Sequence, residues 1–119
     1  MQSKKHPFST IRSKFHLNYV FSNADRVKSH THYLYVAPSF LQRSSICIVA
    51  NRKVGNAVQR NRCKRRLREF FRVNQLSIRR EWDMIVVVHS AMVFMTYLQL
   101  SKTLVRQLDS KGMWITHDD

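Results

Sequence analysis

Residues 55–72 read GNAVQRNRCKRRLREFFR, and this stretch holds seven Lys or Arg but a single acid. A charge run of this kind is typical of a disordered tail, yet apolar residues recur through it. At 100° per residue, an α-helix gathers Cys63, Leu67, Phe70 and Phe71 within an arc of about 100°. The stretch is therefore predicted to fold as an amphipathic helix held by its apolar side.

The start of this helix is marked by a capping pattern. Asn56 stands where an N-cap is expected, and Gln59 follows three residues later in capping-box register. Nothing breaks the helix before about Asn74. The opposite side of the helix gathers polar and basic residues: Asn61, Lys64, Arg65, Arg68 and Arg72.

The basic side of the helix favours a bound polyanion over a merely solvated surface. Solvated helix faces usually interleave acids with bases, because like charges at i,i+4 cost a few tenths of a kcal/mol. Here Lys64, Arg65 and Arg68 are like-charged neighbours, and Glu69 is the acid beside them. A basic amphipathic helix can also bind a membrane surface, but apolar segments on both sides of this one need a covering layer. Arginine favours forked contacts with phosphate.

Composition agrees with a compact, basic, single-domain protein spanning residues 1–119. The chain is 44% hydrophobic with a formal net charge of +14, which attracts nucleic acid or another polyanion. No apolar run approaches the roughly 18 residues of a membrane span. Cys47 and Cys63 are interpreted as buried thiols in a reducing compartment, and the expected location is cytoplasmic. Residues 1–10 and 111–119 are expected to be flexible ends.

The remaining elements indicate an α+β domain with a small sheet. Residues 13–22 suggest a short helix, and residues 31–37 form a β-rich run that ends at a proline. Residues 45–50 fit a strand buried on both faces, and residues 83–88 contain three consecutive valines that favour a strand. A last helix is predicted from the Thr96 cap, with Gln99 as its capping-box partner.

The basic stretch resembles the signature of the bacterial ribonuclease P protein subunit, K-x-G-x-A-V-x-R-N-R-x-K-R-x-x-R-E. Every fixed position of that pattern is present over the 17 residues 53–69. The resemblance extends over nearly the whole chain, through Val20-Phe21, Tyr33, Tyr35, residues 46–50 and residues 84–88.

The resemblance implies an α-β-β-β-α-β-α two-layer sandwich, with the basic helix in an unusual left-handed βαβ crossover. It also implies that the catalyst is the RNase P RNA, with Mg²⁺ bound mainly by that RNA. The protein would bind this RNA and the 5′ leader of precursor tRNA, and would promote removal of the leader to give the mature 5′ end. The isolated protein is expected to be non-catalytic, with no catalytic or metal-binding residue, no membrane and no small-molecule substrate.

The family's functional positions map onto this sequence residue by residue. The RNA-binding positions are Arg52, Lys53, Arg60, Asn61, Arg62, Lys64, Arg65 and Arg68. The substrate-leader groove is assigned to Phe15, Leu17, Phe21, Tyr33 and Tyr35. Leu17 stands where the family often has phenylalanine, and Phe15 is expected to substitute for it. Aromatic side chains beside a basic surface stack unpaired bases; the alternative for each is core packing.

Two other functions are set against this interpretation. A self-sufficient nuclease needs an acid/base pair or a carboxylate cluster, whereas the seven acids are scattered and only Glu81 and Asp83 lie close together before the terminal pair. His30 and His32 are a weak hint of catalysis. A structural RNA-binding protein, such as a small ribosomal protein, fits the charge and size but not the motif.

Overall fold

The computed structural model of the chain describes residues 6–39 and 43–116. In chain order its strands and α-helices are β1 (Ser9–Thr10), α1 (Lys14–Asn23), β2 (Asp25–Lys28), β3 (His32–Pro38), β4 (Ser45–Val49), α2 (Ala57–Val73), β5 (Trp82–Val88) and α3 (Tyr97–Ser110). Two short 3₁₀ helices, Gln75–Ser77 and Ser90–Phe94, flank β5. The structure is thus of the α+β class, as predicted.

The described strands form one five-stranded sheet in the order β1-β4-β5-β3-β2. β3 runs antiparallel to β2 and β5, whereas β4 runs parallel to β1 and β5. The parallel neighbours β4 and β5 are joined through α2, so the basic helix occupies the crossover connection that was predicted. The left-handed sense of that crossover stays a prediction.

The helices cover the sheet unequally. Alternate strand residues such as Leu34 and Val86 pack with residues of α2 and α3 in one large apolar cluster. The residues between them face the other way, where Ala37 and Ile85 form a smaller cluster with Ile11 and with Val20 of α1. We call these the α2/α3 face and the α1 face of the sheet.

The three helix predictions are confirmed, together with the caps predicted at Asn56 and Thr96. The Ser13 side chain accepts the backbone N–H of His16 at the start of α1. At α2, Asn56 and Gln59 cap each other reciprocally, with both N–H···O distances at 2.9 Å. Thr96 makes the same capping box at α3. In each case the side chain satisfies backbone donors that the first helical turn leaves without partners.

The predicted strands at residues 31–37, 45–50 and 83–88 are confirmed within one residue at each end as β3, β4 and β5. β2 was not predicted from its residues, Asp-Arg-Val-Lys, which include one apolar side chain. It lies at the edge of the sheet and pairs only with β3. An edge strand of four residues buries little, so it imposes little hydrophobic pattern on the sequence.

The two chain ends pack more than the sequence pattern predicts. Phe8 is 2% exposed and contacts Phe71 edge-to-face, and β1 pairs with the start of β4. At the other end Met113 is fully buried, and Trp114 forms a β-bridge with Ile78. The expected flexibility at residues 1–5 and 117–119 lies outside the described residues.

Both cysteines are free thiols. Cys63 is buried in α2, whereas Cys47 is half-buried on the α1 face. Burial raises the pKa of both thiols, which disfavours the thiolate. Over residues 6–39 and 43–116, no helix has the length and apolar character that crossing a membrane requires.

Candidate nucleic-acid interface

The apolar side of α2 is buried as predicted. Leu67, Phe70 and Phe71 are 0% exposed and Cys63 is 1% exposed, all within the cluster on the α2/α3 face. Packing of these four side chains fixes the rotation of α2 about its axis. The basic side must then face away from the core, because it lies on the opposite side of the helix.

The predicted RNA-binding residues all retain accessible surface. Exposed positions are Arg52, Lys53, Asn61, Arg65 and Arg68, and half-buried positions are Arg60, Arg62 and Lys64. Arg52 and Lys53 lie in the loop between β4 and α2, next to the helix start. Asn61, Arg65 and Arg68 lie on the side of α2 opposite its buried residues, and Arg52 and Lys53 lie close to the start of the helix.

Three neighbouring arginines are engaged within the protein. Arg60 donates to the carbonyl of Gly55 at 3.0 Å, and Arg66 donates to the carbonyl of Met95 at 2.6 Å. Arg66 therefore ties α2 to the end of the second 3₁₀ helix, which explains a charge at a position facing neither core nor open solvent.

The third engaged arginine, Arg72, pairs with Glu69 through two hydrogen bonds of 2.9 and 2.6 Å. This hydrogen bonding lowers the pKa of Glu69 and raises the pKa of Arg72. Glu69, the acidic residue of the basic stretch, therefore pairs with Arg72 in the last turn of α2. No ion pair among the described residues involves Arg65 or Arg68.

Gly55 has a steric role at the start of the basic helix. A Cβ placed on Gly55 would lie 2.2 Å from Oε1 of Gln59, the atom that accepts the N–H of Asn56 in the capping box. Its φ of 158° is also one that side-chain-bearing residues rarely adopt. Glycine in the basic motif therefore protects the cap that starts α2.

The α1 face brings together three of the predicted groove residues. Phe21 is 38% exposed and stacks edge-to-face on Tyr35 with ring centroids 4.9 Å apart. Leu17, one helical turn before Phe21, and Tyr35 both pack against the small cluster of this face. These side chains are partly exposed and are also supported by packing against their neighbours. A surface on which bases stack requires both properties.

Tyr33 lies on the same strand face but is flanked by two side chains that the sequence analysis did not identify. The His89 ring meets it edge-to-face at 4.4 Å, and the Arg26 guanidinium lies 5.2 Å from its ring centroid. Arg26 comes from β2, and His89 directly follows β5. Neither residue carries a local signal, because strand pairing alone brings them to Tyr33.

Phe15 stands two residues before Leu17 in the sequence. It is 73% exposed on α1, and two residues along an α-helix correspond to a rotation of about 200°. Phe15 and Leu17 therefore lie on opposite flanks of the helix, and the expected substitution of Phe15 for a groove phenylalanine stays a prediction. We call Phe21, Tyr35 and Tyr33 the aromatic group of the α1 face.

The two histidines that gave a weak hint of catalysis differ in burial. His32 is fully buried, and its Nε2–H donates to Oε1 of Gln107 on α3 at 2.6 Å. His30 is exposed in the turn before β3. Within the part of the chain that the structure describes, no group of three or more His, Cys, Asp or Glu is placed to hold a metal ion.

The fold and this surface define a class: a small basic α+β protein whose crossover helix is anchored by one side and strongly cationic on the other. A family model described as Ribonuclease P matches residues 6–111. The chain therefore belongs to the ribonuclease P protein family.

Known relatives agree with this assignment. The chain is 35% identical over 85 residues to the ribonuclease P protein component of Herpetosiphon aurantiacus, covering 71% of this chain and 68% of that protein. It is 33% identical to the Halalkalibacterium halodurans protein component, over 71% and 72% of the two chains. For three further relatives the match spans 60% to 65% of the relative's own length.

Solved structures show the same fold. A Staphylococcus aureus RNase P protein mutant superposes with a TM-score of 0.80 at 26% identity, covering 88% of this chain and 89% of that one. The topology described above is thus that of ribonuclease P proteins.

Proposed function

We propose that this chain is the protein subunit of a bacterial ribonuclease P. In this proposal it binds the catalytic RNA through the basic surface of α2. It also binds the single-stranded 5′ leader of precursor tRNA on the α1 face, in the cytoplasm. The RNA hydrolyses the phosphodiester that releases the leader, with Mg²⁺ held mainly by the RNA.

The observation that carries the proposal is the division of α2 between its two sides. Four buried apolar residues fix the helix, while Asn61, Arg65 and Arg68 stay exposed on its other side. Like charges held together in this way cost stability unless an anion offsets them. Phosphate groups of RNA supply that anion, and guanidinium forks match their geometry.

The leader site is supported by the Phe21–Tyr35 pair on the α1 face. Stacking of a base on an aromatic ring contributes about 1–3 kcal/mol and tolerates any base. A protein subunit that acts on many precursor tRNAs requires such tolerance, because their leaders differ in sequence.

Reconstitution tests the proposal. The purified protein is mixed with a cognate RNase P RNA and precursor tRNA at low Mg²⁺ concentration, and the rate of 5′ cleavage is measured. We expect no cleavage by the protein alone and faster cleavage by the mixture than by the RNA alone. Cleavage by the protein alone would instead indicate a nuclease, and an unchanged rate would indicate a different RNA-binding role.

The salt dependence of RNA binding tests the assigned surface. The logarithm of the affinity falls by about 0.7–0.9 per phosphate contact for each unit of log salt concentration. We expect Arg65→Ala with Arg68→Ala to flatten the slope by roughly two contacts. The control, Lys102→Ala with Arg106→Ala on α3, removes equal charge and leaves the slope nearly unchanged. Equal slopes for wild type and the α2 variant would contradict the assignment.

A further inference from the structure

A second basic region adjoins the predicted RNA-binding surface and shares Arg68 with it. A cavity of about 640 Å³ opens between residues 6–10, the start of α1 and the outer side of α2. Its walls include Arg12, Arg43 and Arg68 together with His6 and His16. We call it the N-terminal pocket. Of these five residues, the sequence analysis assigned a role to Arg68 alone.

The wall formed by residues 6–10 is fixed by specific contacts. His6 Nε2–H donates to the carbonyl of Arg68 at 2.9 Å, and His6 Nδ1 accepts the N–H of Phe8 at 3.2 Å. Phe8 is buried against Phe71, and the N–H of Ser9 donates to the carbonyl of Ser44 at 2.9 Å. The pocket therefore has a wall tied to both α2 and the sheet.

The floor of the pocket is also fixed. His16 is 5% exposed, and its Nε2–H donates to Oδ2 of the fully buried Asp83 at 2.7 Å. The imidazole is thus held by β5 beneath the first turn of α1. Hydroxyl groups of Ser9, Thr10 and Ser13 complete the polar lining.

The charge of the pocket is one-sided. No Asp or Glu is among the described residues that line it, and none of Arg12, Arg43 and Arg68 forms an ion pair with a described residue. Three guanidinium groups around one cavity repel one another in the absence of an anion. Their planar donor forks suit phosphate oxygens better than a spherical anion.

The pocket connects to the α1 face along the edge of α2. A smaller cavity of about 150 Å³ shares Thr10 and Arg68 with the pocket and is also lined by Lys64 and by Cys47. Cys47 belongs to the cluster on the α1 face. The two cavities therefore adjoin at Thr10 and Arg68, and Lys64 adds a fourth basic side chain beside the pocket.

We propose that the N-terminal pocket binds a backbone phosphate of RNA between Arg12, Arg43 and Arg68. This inference rests on the proposed function for the identity of the anion as RNA. It adds Arg12 and Arg43 to the RNA-binding residues, and it gives the packed N-terminal segment a role as the wall of a phosphate site.

A direct test uses inorganic pyrophosphate and the isolated full-length protein, so its result does not depend on ribonuclease P activity. Backbone amide NMR signals are followed during titration in wild type, in Arg12→Ala with Arg43→Ala, and in the charge-matched control Lys102→Ala with Arg106→Ala. We expect the largest shifts at residues 9–16. Affinity is expected to fall at least about tenfold in the pocket variant and less than about twofold in the control.

Shifts concentrated elsewhere, or equal loss in both variants, would overturn the pocket. Unfolding in urea verifies that each variant folds; Arg12→Gln with Arg43→Gln serves as the second pair, because both side chains are exposed.

Two further measurements identify which RNA supplies the phosphate. Affinity of the pocket variant for the RNase P RNA is compared with its affinity, in the reconstituted complex, for precursor tRNAs with leaders of increasing length. Weaker binding to the RNA subunit assigns the phosphate to that RNA, and a loss that grows with leader length assigns it to the leader. No loss in either measurement overturns the proposal. Failure of the wild-type protein to associate with RNase P RNA would contradict the proposed function separately.

Discussion

The two faces of the sheet differ in how many apolar side chains they bury. On the α2/α3 face, large apolar side chains from two helices and three strands make one continuous cluster. On the α1 face, the buried apolar cluster of the described residues consists of Ile11, Val20, Ala37 and Ile85, and partly buried residues such as Tyr35 pack against it. Stability is therefore concentrated on the first face, and the second keeps accessible rings that a ligand can cover.

Each face also holds one buried histidine, and the two have different partners. His32 on the α2/α3 face donates to the neutral amide of Gln107, whereas His16 on the α1 face donates to the carboxylate of Asp83. The first links the sheet to α3, and the second links the sheet to α1. Apolar packing alone holds α1 less firmly, because the buried cluster on the α1 face is the smaller one. The hydrogen bond between His16 and Asp83 therefore helps to position α1.

The largest expected effect is on the α2/α3 face. Phe70→Ala removes a fully buried ring and should lower the free energy of unfolding by about 3–5 kcal/mol, through lost burial and a cavity. Urea unfolding followed by circular dichroism measures it. Val73→Ala, at an exposed position of the same helix, should change the free energy by less than about 0.5 kcal/mol. Similar losses in both variants would refute the difference between the two sides of α2.

The corresponding test on the α1 face removes the partner of His16. Asp83→Ala leaves the buried imidazole N–H without its acceptor and should cost about 1–3 kcal/mol in the free energy of unfolding. The exposed Asp109→Ala on α3 is the control. If Asp83→Ala leaves stability unchanged, the pair does not position α1.

On the α1 face, the prediction for Tyr35 concerns RNA binding rather than stability. Tyr35→Ala is expected to weaken precursor tRNA binding by about 1–3 kcal/mol, because a stacking ring is lost, with the affinity for RNase P RNA nearly intact. Tyr97→Ala, at a tyrosine of α3, should leave both affinities unchanged. An equal drop in both affinities for Tyr35→Ala would mean that Tyr35 serves the core.

The smallest effect concerns pH and His32. Burial lowers the pKa of His32 most strongly, the hydrogen bond with Gln107 opposes this shift, and the charge of His89 adds to the lowering. Just below the ordinary histidine pKa of about 6.5, His32 binds a proton in the unfolded chain but stays neutral in the folded chain. Stability should therefore fall as pH drops below that value, by at most about 1.4 kcal/mol per pH unit, and should not change from this cause above it.

Urea unfolding between neutral pH and mild acid measures this dependence. His32→Gln should reduce it, whereas His30→Gln, at an exposed histidine, should leave it as in wild type. An identical pH dependence in wild type and His32→Gln would exclude His32 as its source.

The sequence predictions that the structure confirms depend on residues that are close together in the chain. Asn56 and Gln59 are three residues apart, and the buried side of α2 repeats every three or four residues. Such patterns are local, because a helix brings i and i+4 together whatever the rest of the chain does. The valine-rich β5 was equally clear, since β-branched residues favour extended backbone.

The missed features depend on distant partners. β1 has two residues and exists because Ser9 and Thr10 pair with the start of β4. Arg26 and His89 reach Tyr33 from separate strands, and no spacing in the sequence encodes that meeting.

The amino-acid sequence alone determines that residues 57–73 form a helix with one apolar side and one cationic side, because periodicity and capping act within a few residues. Tertiary packing decides which cations remain available. It ties Arg66 to Met95 and places Arg12, Arg43 and Arg68 around one cavity. Convergence of this kind depends on contacts between segments far apart in the chain, which only the folded sheet and its helices bring together.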